Sequence, residues 1–160
     1  MKKVLVFIAL IIVVSVIACM FLFEMGVSQS LDTPDIIYIY KNGQQITINK
    51  ENTLFNQIVT ATNKRISGYL EYYKVVLDDG ADNNIKNEHI VVEYVYSTTI
   101  KKDFKIKQEG NIRKEYTRLF MPITGNETDT IYLSNGTSVL PGVLGGLMPP
   151  DELISLIDKV

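Results

Sequence analysis

The sequence predicts an α+β fold: an N-terminal transmembrane helix, then a twisted antiparallel sheet with one main helix and a short C-terminal helix packed on one face. Three observations predict it. Asn42-Gly43 stands between two runs of β-formers, a helix-spaced apolar stripe follows, and several alternating segments separated by turn residues come next.

The first element is the run from Val4 to Phe23, which is 20 residues long and carries no charge. A helix of that length spans roughly 30 Å, the hydrocarbon thickness of a bilayer. Lys2 and Lys3 precede the run and Glu24 ends it, so the positive-inside rule places the amino terminus in the cytoplasm and the remainder on the outer face. Ser15-Val16-Ile17-Ala18-Cys19 resembles a bacterial lipoprotein signal, which makes Cys19 a lipidation candidate. Against cleavage, Met20-Phe21-Leu22-Phe23 continues the apolar run past the cysteine, where a signal peptide would already have ended. The expected organisation is an anchor over residues 1–24, a short polar tether over 25–35, and one extracytoplasmic domain over 36–160.

Within that domain, Ile36 to Tyr40 and Gln45 to Ile48 form the hairpin, because Asn and Gly tolerate the positive φ of a type I′ turn. Asn49 or Asn52 caps a helix that runs to Arg65 or Ile66, with Leu54, Phe55, Ile58, Ala61 and Thr62 facing the sheet. Residues 69–77 read as a strand and 78–88 as an acidic, asparagine-rich loop. From His89 to Tyr96 the pattern alternates, with Ile90, Val92, Tyr94 and Tyr96 on one side. Further strands or turns are expected over 99–107, 112–121 and 129–133. A glycine- and proline-containing segment then leads to a short helix over 151–159, with Leu153, Ile154 and Ile157 inward.

Composition bounds the function. Setting aside Lys2, Lys3 and Glu24 leaves 14 basic and 17 acidic residues, a net charge of −3, which lacks the basic excess of a nucleic-acid binder. The single cysteine lies in the anchor, so the domain has no thiolate zinc site and no internal disulfide, a usage that suits a bacterial envelope. His89 is the one histidine, and no serine stands in a G-x-S-x-G elbow. No catalytic residue and no cofactor is assigned.

Three segments carry candidate binding residues. Asp78, Asp79, Asp82 and Glu88 are oxygen donors of the kind calcium takes, although their spacing is not that of an EF-hand and a solvated loop accounts for them equally. From Lys101 to Arg118 there are seven basic and three acidic residues. Lys101, Lys102, Lys105 and Lys107 therefore offer a cationic surface to a partner protein or an anionic envelope polymer, or simply protect a strand edge. The segment 139–150 is unusually apolar for a loop. Val143, Leu144, Leu147 and Met148 either fold inward or form a patch for a partner. The function expected from these features is a membrane-anchored, non-enzymatic module that binds another membrane or envelope protein. A domain for calcium or an anionic polymer is the alternative, and a carboxylate-based envelope hydrolase the remote one.

Overall fold

The computed structural model describes residues 29–66, 68–78 and 80–160. The run Val4–Phe23, expected to be an anchor, and Cys19 lie outside the described residues, and no helix among those described is long and apolar enough to cross a membrane.

The Asn42-Gly43 turn forms as the sequence predicts, with φ of 54° and 72°, and joins β1 (Ile36–Lys41) to β2 (Gln44–Ile48). Their register sets Ile37 against Ile48 and Ile39 against Ile46, so these apolar side chains share one face. Asn52 then turns the chain. Its side-chain oxygen accepts from the Leu54 N–H at 2.9 Å, and α1 (Phe55–Arg65) begins immediately after. Phe55, Ile58, Val59, Ala61 and Thr62 lie buried along the helix face turned to the sheet.

The long strand β4 (Val91–Ile106) pairs with β1 on one side and with β5 (Gly110–Pro122) on the other. Its register against β5 shifts between Val95 and Ile100, where β4 carries extra residues opposite Thr117. An irregularity of this kind bends a strand, and the outer half of the β4–β5 hairpin brings Phe104, Ile106 and Tyr116 into the main core. There Tyr96 meets Tyr116 edge-on at 5.7 Å. The expected strand over 99–107 is thus the continuation of β4.

β6 (Tyr132–Ser134) completes a five-stranded antiparallel sheet in the order β2-β1-β4-β5-β6. A second sheet holds only β3 (Glu71–Tyr73) and β7 (Val143–Gly145). The expected strand over 69–77 shortens to β3: the ladder with β7 ends at Tyr73, beyond it Val75 O accepts from Gly142 N–H at 2.8 Å, and Val75 and Val76 are exposed. The C-terminal helix α3 (Asp151–Ile157) buries Leu153, Leu156 and Ile157 beside α1.

Two expectations need correction. The acidic segment is not a loop: Gly80, at φ 82°, starts a helix, α2 (Ala81–Glu88). The described fold therefore has three helices, and they do not share one face. α1 and α3 cover the face that carries Ile37, Ile39, Val92, Tyr94 and Leu119, whereas Ile85 of α2 packs with Val91, Phe120 and Tyr132 on the other.

Residues 29–35, which composition reads as tether, lie against the domain. Leu31 is buried, and its N–H donates to Asn63 Oδ1 at 2.8 Å. Asp35 accepts from Lys50 and from the hydroxyl and N–H of Ser97, and these hydrogen bonds hold its carboxyl well below the usual carboxylate range.

Candidate functional site

The second face of the large sheet carries one side chain that simple alternation does not explain. Val91, Glu93 and Val95 point the same way from β4, and an acid sits between two valines. Glu93 is buried to 1% exposure. Burying a carboxylate without compensation costs several kcal/mol or more, so the important question is what surrounds it.

Three side chains do. The Tyr40 hydroxyl donates to Oε2 at 2.7 Å. Lys86 Nζ donates to Oε1 at 3.0 Å, and Arg118 Nη1 stands 4.0 Å from that oxygen. Each comes from a different element. Tyr40 is on β1, Arg118 lies across the sheet on β5 opposite Val95, and Lys86 reaches down from α2. The Lys86 ammonium also rests over two rings, 5.0 Å from the centroid of Tyr40 and 5.1 Å from that of Phe120. Phe120 in turn stacks on Tyr132 at 4.8 Å, and the Tyr132 hydroxyl donates to Glu127 at 2.5 Å. Burial, together with the bond to Glu93, pushes the Tyr40 hydroxyl well above its ordinary value.

This network forms the floor of a cavity of about 180 Å³. Lys86, Glu93, Arg118 and Phe120 lie beneath it, Asp78 and Asp82 stand at one side, and Ser134 to Val139 form the opposite rim. The rim holds its own shape. Asn135 Oδ1 accepts from the N–H groups of Thr137 and Ser138, and Ser134 Oγ accepts from Gly136 N–H while donating to Ser138 O. Glu93 already receives two donors, one of them cationic, and has a second cation nearby, so it acts here as a fixed anion that positions Lys86 and Arg118. Arg118 keeps a side-chain exposure of 40% and presents its remaining donors to the cavity.

The residues singled out from sequence fall in three places. Asp78 and Asp82 line this cavity, Glu88 lies exposed at the far end of α2, and Asp79 is outside the described residues. Among the described residues no group of three or more His, Cys, Asp or Glu side chains is placed to hold a metal ion. The basic residues lie along the β4–β5 arm, and several are paired. Lys101 stands 3.1 Å from Glu115, Lys102 3.5 Å from Asp32, and Arg113 2.8 Å from Asp103. Lys105 and Lys107 remain exposed near the arm's tip.

The apolar segment resolves toward burial. Val143, Leu144 and Leu147 are buried, and Met148 alone of the four is exposed, at 54%. Leu144 is clamped between two neighbours: it pairs with Tyr72 on β3 and exchanges backbone hydrogen bonds with Ile131. Arg65 secures the far end, its guanidinium donating to Met148 O and Thr128 O, and burial pulls its pKa down to about 10.

Neither Glu93 nor Tyr40 stands out as a sequence motif. The one signal was the lone acid between valines on an otherwise apolar strand face. No family model matches this chain, and neither does any curated protein or solved structure.

Proposed function

We propose that this protein is a membrane-anchored, extracytoplasmic and non-enzymatic module, and that it binds another membrane or envelope protein through the cavity over Glu93. The supporting observation is the state of that carboxylate. A general base needs a free lone pair facing its substrate. Glu93 instead accepts from Tyr40 and Lys86 and stands beside Arg118, an arrangement that suits holding cationic donors in place for recognition. The anchoring half of the reading rests on the uncharged run from Val4 to Phe23 and on Lys2 and Lys3 before it.

A tether of this kind keeps the domain within a thin layer and raises its effective concentration for neighbours in the same membrane. A shallow polar recess then suffices, because the partner need only insert one polar side chain between Arg118 and the Ser134–Val139 rim.

Photo-crosslinking tests this directly. A photoreactive residue at Thr137, on the exposed rim, is expected to capture one membrane or envelope protein in native membranes, and Arg118→Glu should abolish that adduct. An adduct of unchanged yield in the Arg118→Glu protein would overturn the assignment of this cavity.

A further inference from the structure

The large sheet has two edges, and they are finished differently. β6 is three residues long, and its outer side is bridged at Ser134 by Val139, with Leu140 N–H bonded to Leu133 O. β2 is five residues long, Gln44-Gln45-Ile46-Thr47-Ile48, and among the described residues has only β1 beside it.

The hairpin geometry fixes which backbone groups of β2 point outward. A two-residue turn makes Lys41 and Gln44 a hydrogen-bonded pair, and the alternation then assigns Ile46 and Ile48 to β1 as well. The N–H and C=O of Gln45 and Thr47 therefore face away from the sheet, and no described residue hydrogen-bonds them. Sheet edges are normally blocked by lysine, proline, a bulge or a covering element. Among the described residues β2 has none of these: it is uncharged, contains no proline and keeps one unbroken register with β1.

We propose that β2 pairs antiparallel with β2 of a second copy of this chain, across a two-fold axis at Ile46. In that register Gln45 and Thr47 of one copy exchange hydrogen bonds with Thr47 and Gln45 of the other, which satisfies all eight outward groups. Ile46 faces Ile46 as the non-hydrogen-bonded pair, on the apolar side of both sheets. No charged side chain of the strand meets its like. The edge is therefore self-complementary: the same five residues supply both halves of the match, with isoleucine opposite isoleucine and no charge opposed. A two-fold axis also keeps both Gln29 ends level along that axis, so two chains entering one membrane are compatible with the pairing. The inference is independent of the cavity and its partner.

The experiment uses the full chain in its membrane, with Cys19→Ala and Ile46→Cys. Non-hydrogen-bonded antiparallel partners lie about 4.5 Å apart at Cα, within disulfide reach, so mild oxidation should yield a covalent dimer. A cysteine at exposed Glu51, off the strand, should yield none. Thr47→Pro removes one outward donor per copy without touching the β1 ladder, and should cut the dimer roughly tenfold or more. Should Thr47→Pro misfold, a charge swap replaces it. Gln45→Lys with Thr47→Lys puts like charges opposite each other and should stay monomeric, as should Gln45→Glu with Thr47→Glu. Coexpressing the two with different tags should restore crosslinking between them. Absence of the Ile46→Cys dimer, its persistence in both disrupting variants, or capture of a protein of another mass would each overturn the proposal.

Discussion

Lys86→Met tests whether the cavity floor depends on its buried ion pair. Methionine keeps an unbranched side chain and removes the charge that rests over the Tyr40 and Phe120 rings. The exposures are 13% for the Lys86 side chain and 2% for Glu93, so the pair is largely shielded from solvent. Removing one partner of a buried pair costs about 3–5 kcal/mol. Two features reduce this: the Tyr40 hydroxyl still donates at 2.7 Å, and Arg118 starts only 4.0 Å away. A loss of about 2–3 kcal/mol is therefore expected, or roughly 6–12 °C in melting temperature for a domain of this size.

The assay is urea unfolding of the full-length chain in nonionic detergent, followed by tyrosine fluorescence, since the chain has no tryptophan. A double-mutant cycle with Glu93→Gln isolates the pair, and its coupling should exceed about 1 kcal/mol. A Lys86→Met protein within about 0.5 kcal/mol of the parent, with no coupling in the cycle, would refute the argument. The Glu93 carboxylate would then be solvated in solution, and the floor would not be built around it.

Other substitutions separate buried from exposed positions. Leu144→Ala removes a fully buried side chain and should cost about 2–5 kcal/mol, whereas Met148→Ala should stay within about 0.5 kcal/mol; equal effects in urea melts would contradict the inward placement of this segment. Gly142 has φ 84°, and a Cβ there would collide with the Tyr72 ring, so Gly142→Ala should destabilise by about 1–3 kcal/mol and lower the melting temperature. For Asp35 the folded-state pKa is depressed, so its contribution is present above the unfolded value of about 3.9 and is lost as the pH falls below it. The melting-temperature advantage over Asp35→Asn should be full at pH 6 and shrink below about pH 4. A constant difference across that range would remove Asp35 as its source.

Some of this architecture was legible from local chemistry. The hairpin was, because Asn42 and Gly43 supply the two positive φ values that a two-residue turn requires. The helix from Phe55 was too, because its apolar residues recur at helical spacing, although Leu54 and not the expected asparagine stands at its N-cap position, with no side-chain cap. Both signals act between residues close in sequence. The acidic segment misled for a related reason. The apolar side chain that α2 packs on the sheet is Ile85, and a helix with so narrow an apolar stripe looks like a solvated loop until the sheet beneath it is known.

The β4–β5 bend and the cavity depended on distant pairings. Nothing local marks the register shift after Val95, which reflects how two long strands meet across a sheet. Glu93 could be noticed as an acid among valines, but its partners Tyr40, Lys86 and Arg118 are 53, 7 and 25 positions away and belong to three different elements. The sequence by itself determined the uncharged apolar run near the amino terminus, the charge balance, the turn chemistry and the apolar faces of the longer elements, because those depend on residue type and short-range spacing. Only the tertiary structure decided which segment would cover the second face of the sheet, that Leu144 and Leu147 would lie inside, and that one buried carboxylate would gather two cations and a tyrosine. Those outcomes follow from shape and burial, which arise only when elements remote in the chain are packed together.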